Sequence, residues 1–273
     1  MSKPKRKKTV LIVVAHADDM EFMAAGTVAR FVKELGYDVY EYILTDNGRG
    51  SYRLKYEELV AVSEQEAIEA GRILGLKEVR FERYLDGDLN TVPVNVLREK
   101  IMKFIREVKA DIVMSWDPFA PYEDHPDHRV CSMATLDAAS FSGNPMFYPE
   151  HEYEPYPVTE AYWFAKTPMN AHAFVDISST IEEKIASLLA HDCQMQLTVD
   201  ALVIESKIVG AELPFLQDVG PDGHKPVIEM GMRAHCAKVG EEKGMAFAEQ
   251  FRYEKLGMLD TLLGMSVTHP DFV

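Results

Sequence analysis

Residues Thr9 to Ala15 (TVLIVVA) form an unbroken apolar, β-branched run flanked by charge, the pattern of a strand covered on both faces. From Phe22 to Leu35 the apolar positions Phe22, Ala25, Val28, Ala29, Val32 and Leu35 recur at helical spacing, and the run stops at Gly36, where a C-capping glycine belongs. Val39 to Thr45 reads as the next strand. The alternation continues with a helix over Lys55 to Leu74 ending at Gly75, a strand over Glu78 to Arg83, a helix over Val94 to Lys109 and a strand over Asp111 to Trp116.

Strands alternating with helices imply βαβ units joined by right-handed crossovers. The expected fold is therefore α/β: an open, mostly parallel Rossmann-like sheet with helices on both faces. Beyond Trp116, Pro121, Pro126, Pro145, Pro149, Pro155 and Pro157 break up the pattern around one helix, Asp127 to Ala139. Loops of this kind commonly line sites. Strands over Glu160 to Ala165 and Ala171 to Asp176, a helix from Ser179 to Ala190, a helical stretch reaching Gly210 and a C-terminal helix over Glu241 to Phe251 complete the expectation.

Composition narrows the picture. With 273 residues, 47% of them hydrophobic, one elaborated domain over 1–273 can bury an ordinary core, with residues 1–8 as a flexible basic tail. No apolar run approaches the roughly 20 residues that span a bilayer, and the basic N-terminus precedes a strand pattern, not a signal-peptide core. A soluble, cytoplasmic protein without a membrane partner is expected. Cys131, Cys193 and Cys236 are widely spaced and show no CxxC pair, which supports neither a disulfide framework nor a zinc ribbon. A net charge of -15 argues against nucleic acid as the main partner, since phosphate binding needs a cationic face.

Two clusters carry candidate chemistry. Directly after the first strand comes Ala15-His16-Ala17-Asp18-Asp19, at the carboxyl end of a central strand, where open α/β sheets bind ligands. Burying an imidazole beside two carboxylates is costly without a cation, and His16 with Asp19 offers the mixed nitrogen and oxygen donors that zinc accepts. A dinucleotide site fits poorly, because the turn has no glycine before Gly26. Simple helix capping by Asp18 or Asp19 accounts for one carboxylate and leaves His16 unexplained.

The second cluster, Glu123-Asp124-His125-Pro126-Asp127-His128, follows the fourth strand and precedes a helix on the same sheet edge. His125 and His128 are three residues apart, close to one helical turn, so both can face one point while Asp127 hydrogen-bonds an imidazole. The two clusters together supply three metal ligands and free acid/base groups, as a catalytic site with an open position requires. A metal-binding module without turnover has no use for a spare carboxylate beside the ion. A two-metal phosphoesterase needs more carboxylate ligands than these clusters contain.

At these residues the chain resembles the LmbE/PIG-L family of metal-dependent N-deacetylases, whose hallmarks are an A/P-H-P/A-D-D motif after the first strand and a later H-P-D-H motif. Weaker similarities extend the match: Thr45-Asp46-Asn47-Gly48, Leu74-Gly75, Asp86-Gly87, Val175-Asp176-Ile177-Ser178, His191 with Gln194, and Ala248-Glu249-Gln250-Phe251. The resemblance implies one zinc ion held by His16, Asp19 and His128, Asp18 as general base, and His125 stabilising the tetrahedral intermediate, kept cationic by Asp127. Ala17 stands where the family usually has proline, and Ser63 where it commonly has arginine, three residues before Glu66. The first departure spares the ligands; the second loosens any inference about substrate contacts.

The implied reaction is hydrolysis of an N-acetyl amide on an N-acetylglucosamine-type sugar or conjugate, with an amidase for a larger conjugate or antibiotic intermediate as the alternative. Candidate substrate contacts are Arg49, Asp88 and Tyr122, joined by His269 if its C-terminal tail reaches a neighbouring subunit of a homo-oligomer. Tyr52, Arg53 and Asp86 read equally well as loop or turn residues. His191 and Gln194 read as a buried hydrogen-bonded pair, and His151, His172, His224 and His235 as structural or surface groups.

Overall fold

A computed structural model describes residues 7–217 and 222–263. The chain order is β1 (Thr9–Val14), α1 (Asp19–Met23), α2 (Ala25–Lys33), β2 (Asp38–Thr45), α3 (Tyr56–Leu74), β3 (Glu78–Tyr84), α4 (Val94–Val108), β4 (Ile112–Trp116) and α5 (Pro126–Phe141). Then follow β5 (Glu160–Phe164), β6 (Ala173–Asp176), α6 (Ile181–Ala190), α7 (Asp192–Val209), α8 (Pro214–Gln217), α9 (His224–Glu241), β7 (Ala248–Lys255) and α10 (Met258–Leu263). The sheet order is β3-β2-β1-β4-β5-β7-β6. Pairings from β3 through β5 are parallel, whereas β7 runs antiparallel to both β5 and β6.

The alternation of side chains along β1 builds a core on each face. Val10, Ile12 and Val14 pack with Val28, Ala29 and Phe31 on one side, while Leu11 and Val13 pack with Leu97, Ile101, Phe104 and Ala138 on the other. This is the expected α/β sheet with helices on both faces. After β1 the chain moves to β2 and β3 on one side, then crosses to β4 on the other, so the order in which strands are added reverses between β1 and β4. The carboxyl ends of these adjacent strands flank the crevice where such sheets hold ligands.

Several local expectations are corrected. The helix expected over Phe22 to Leu35 is two helices, broken at Ala24, whose φ is -146°. The C-terminal helix expected over Glu241 to Phe251 is instead the end of α9 followed by β7, and the helix over His224–Glu241 carries no expectation in the sequence pattern. Phe247, Ala248 and Phe251 fit a helical stripe, but a short apolar run cannot by itself distinguish helix from strand. The tertiary structure decides for strand through Glu249. Its carboxylate accepts from Gly26 N (3.0 Å), Thr27 N (2.8 Å) and Lys184 Nζ (2.8 Å), all buried.

Of the residues expected in a basic tail, Lys7 pairs with Asp38 and Lys8 Nζ meets Glu160 Oε1 at 2.7 Å; residues 1–6 lie outside the described residues. Among the described residues no helix is long and apolar enough to cross a membrane.

Candidate active site

The turn after β1 places His16, Asp18 and Asp19 at the crevice, and His125 and His128 reach it from the start of α5. His125 caps that helix: its Nδ1 accepts from the Asp127 amide (3.2 Å), and Pro126 occupies the first helical position, where a missing N–H costs nothing.

Three donor atoms converge. His16 Nδ1 and His128 Nε2 are 3.1 Å apart, and Asp19 Oδ1 lies 3.2 Å from His128 Nε2 and 3.7 Å from His16 Nδ1. Asp19 is oriented for this by its other oxygen, Oδ2, which accepts from Ala15 N (3.1 Å), His16 N (2.9 Å) and Trp116 Nε1 (2.8 Å). His125 stands beside them, its ring centroid 4.5 Å from that of His16 and 4.6 Å from that of His128. Nitrogens of His16, His125 and His128 all fall within 4.8 Å of one another, as do atoms of His16, Asp86, His125 and Asp127.

Carboxylates crowd the two imidazoles. His16 Nε2 lies 3.2 Å from Asp86 Oδ1 and 3.5 Å from Asp127 Oδ2, and His128 Nδ1 lies 3.0 Å from Glu123 Oε1. Burial works to lower the pKa of His16, yet hydrogen bonds with Asp127, Asp19 and Asp86 raise it well above the usual histidine value. Burial likewise opposes the ionised form of Asp19, but the charge of His128 overcomes it and holds that carboxyl well below the usual range. The donor set therefore fits a divalent cation: mixed nitrogen and oxygen ligands point at one place whose surroundings demand positive charge.

Asp18 is placed differently. It lines the cavity without joining the converging trio, and burial, reinforced by the Asp19 carboxylate, raises its pKa to about 6. Asp127, expected to hydrogen-bond an imidazole, faces the His16 ring and also serves the backbone. Its carboxylate accepts from Gly87 N (2.7 Å) and Leu89 N (3.0 Å), tying down the loop after β3. Burial and the neighbouring His16 and His128 lower the pKa of His125 more than Asp127 raises it.

The cavity has a volume of about 590 Å³, within the usual range of small-molecule sites. Phe22, Met23, Trp116 and Leu197 give it an apolar wall, while Asn47, Arg49, Asp86 and Gln194 add polar groups. Of the candidate substrate contacts, Arg49 lines it; Asp88 pairs with Arg49 at 3.0 Å but is not part of the lining, and Tyr122 is 83% exposed and outside it. His269 lies outside the described residues. Arg53 is held by Asp200 at 2.7 Å; the His191 ring faces Glu21 at 3.3 Å, and His191 is linked to Gln194, which lines the cavity, through the backbone, Gln194 N–H donating to the His191 carbonyl at 3.1 Å.

Sequence reasoning did not assign Trp116, Glu123 or Lys166 to the site, nor Asp86 to His16. A usable signal existed only for Glu123, an acid within the second histidine cluster. Ser63, where the family commonly has arginine, is buried and accepts from Asn47 Nδ2 at 2.9 Å.

Residues 11–139 match the PIG-L family model, GlcNAc-PI de-N-acetylase. The chain is 30% identical over 193 residues to the diacetylchitobiose deacetylase of Thermococcus kodakarensis, an alignment covering 68% of this chain and 70% of the relative. It is 29% identical over 210 residues to a probable N-acetyl-alpha-D-glucosaminyl L-malate deacetylase 2 of Bacillus anthracis, covering 72% and 86% respectively. The solved N,N'-diacetylchitobiose deacetylase from Pyrococcus horikoshii superposes with a TM-score of 0.75 at 25% identity, over 93% of this chain and 87% of that one. The family model and the identity to these relatives show that the chain belongs to the PIG-L (LmbE-like) family.

Proposed function

We infer that this protein is a zinc-dependent N-deacetylase that hydrolyses the acetamide of an N-acetylglucosamine-type sugar or sugar conjugate. One observation carries the reading: His16 Nδ1, Asp19 Oδ1 and His128 Nε2 converge at the floor of a cavity, with the Asp18 carboxylate beside them and free of that trio. The relatives' substrates, diacetylchitobiose and an N-acetylglucosaminyl malate, supply the substrate class. The buried thiols Cys131, Cys193 and Cys236 are all free, which favours a reducing compartment such as the cytoplasm.

His16, Asp19 and His128 would hold the cation, which when bound would supply Lewis acidity toward the amide carbonyl and lower the pKa of bound water toward about 7. Asp18, with its raised pKa, takes the proton from the attacking water. His125 Nδ1 accepts the Asp127 amide hydrogen, so a neutral His125 carries its proton on Nε2 and offers that N–H to the developing oxyanion. The water oxygen bonds to the carbonyl carbon, the C–N bond breaks, and acetate and a free amine result, the amine nitrogen regaining the proton. The apolar wall of Phe22, Met23 and Trp116 excludes bulk water, and Arg49 and Asn47 meet polar groups of the sugar.

The test is release of acetate and free amine from N-acetylglucosamine and its short oligomers, with and without chelator. Stoichiometric release that chelator abolishes supports the reading. Release that is indifferent to chelator, or none from any N-acetylated sugar, overturns it.

A further inference from the structure

We propose that Glu123 is a positioning residue that sets two histidines of the site through a single carboxylate oxygen. Glu123 Oε1 accepts from His128 Nδ1 at 3.0 Å and from the backbone N–H of His125 at 3.1 Å. The same oxygen lies 3.3 Å from Lys166 Nζ, which also bonds Asp124 Oδ1 at 2.9 Å. The inference rests on the reading that a cation sits between His16, Asp19 and His128.

The geometry assigns Glu123 two effects. Accepting at Nδ1 puts the ring proton of His128 there and leaves the Nε2 lone pair facing Asp19 Oδ1 and His16 Nδ1, the orientation a metal ligand needs. Accepting the His125 amide pins the start of α5, and with it the His125 ring that lines the cavity. A one-oxygen link means that neither histidine moves without the other.

Two features show that this placement is built. Tyr122 adopts a left-handed backbone (φ 65°), unusual for a residue with a side chain, and is 83% exposed, while the next residue, Glu123, is 9% exposed. The turn points the aromatic ring outward and the carboxylate inward. A carboxylate so buried needs compensation, and Lys166, on the cavity wall just beyond β5, provides it.

The experiment measures Zn2+ affinity by calorimetry against a competing chelator, and kcat at saturating Zn2+, for the wild type, Glu123→Ala and Glu123→Gln. Glu123→Ala is expected to weaken Zn2+ binding about 10- to 100-fold. It should also keep kcat about 10- to 100-fold low at saturating metal, because His125 has lost its anchor. Glu123→Gln keeps the acceptor oxygen, folds if the alanine variant does not, and should lose less than about tenfold in affinity, since a neutral acceptor bonds more weakly than a charged one. Affinity and kcat within twofold of wild type in both variants would refute the proposal. Full recovery of Glu123→Ala at saturating Zn2+ would refute the link to His125. A wild type that binds no cation would instead refute the functional reading, and this inference with it.

Discussion

Trp116, the last residue of β4, lies parallel to His128, with ring centroids 3.9 Å apart and 10° between the planes, and its Nε1–H donates to Asp19 Oδ2 at 2.8 Å. One side chain thus braces a candidate ligand from each cluster, fixing one by packing and the other by a hydrogen bond. The brace exists because β1 and β4 are neighbours in the sheet.

Trp116→Phe keeps an aromatic face against His128 and removes the donor to Asp19. The expected loss is about 1 kcal/mol of stability, the typical worth of one hydrogen bond. Zn2+ affinity should fall about tenfold, as when an outer partner of a ligand is removed. Urea unfolding and metal titration measure the two effects separately; unchanged affinity would mean that the backbone amides of Ala15 and His16 hold Asp19 without help.

Asp18→Asn should retain the metal and lose about 10²- to 10⁴-fold in kcat, the usual contribution of a general base. His128→Ala should lose metal and activity together. Metal content and acetate release of the purified variants decide the matter, and a His128→Ala protein with full metal and full turnover is incompatible with the assigned ligands.

Zn2+ at about a hundredfold over its dissociation constant should stabilise the fold by about 2.7 kcal/mol, because it binds only the native arrangement. Thermal melts with chelator and with added Zn2+ should therefore differ by several degrees. Coincident melts would indicate that no cation occupies the site.

Lys184 is fully buried, and its ammonium bonds Glu249 Oε1 and the carbonyls of Glu21 and Phe22, each at 2.8 Å. Lys184→Met leaves the Glu249 carboxylate buried without its cation and should cost about 3–5 kcal/mol. Adding Glu249→Gln should recover part of the loss. Activity should fall as well, because Phe22 forms a wall of the cavity. Denaturant midpoints of the single and double variants test the pairing; equal stability of wild type and Lys184→Met would contradict it.

Glu41, on β2, is fully buried with no hydrogen-bond partner among the described residues. Burial, helped by the charges of Glu21, Asp19 and Asp18, raises its pKa well above the ordinary 4.5. The folded protein keeps this carboxyl protonated while the unfolded chain ionises it, so its effect is absent below about pH 4.5 and destabilises increasingly as pH rises toward the folded value. Glu41→Gln should therefore gain on wild type by about 1.4 kcal/mol per pH unit through that window. Stability curves of the two proteins that stay parallel from pH 4 to 7 would rule this out.

Much of this molecule is legible in its residue pattern. The strands β1 to β4 and the helices between them follow from the alternation of β-branched runs and helical stripes, because each must bury an apolar face against the sheet or its covering layers. His16, Asp19 and His128 are readable as candidate metal ligands because carboxylates and imidazoles gathered at strand ends need a cation to offset them, and because their motifs resemble those of the family. Asp127 and His191 are less well served. A sequence shows that Asp127 is two residues from His125 and next to His128, not that it turns away from both rings to His16 and to the amides of Gly87 and Leu89.

By itself the sequence determined the parallel α/β sheet, the pair of clusters at its carboxyl edge and the chemistry those residue types allow, since all three depend on local periodicity and donor type. Only the tertiary structure decided that β7 is an antiparallel strand, that Trp116 and Glu123 brace the site, and that Asp86 faces His16. These depend on contacts between segments far apart in the chain, where a buried group such as Glu249 takes whichever conformation satisfies its hydrogen bonds, whatever the local pattern favours.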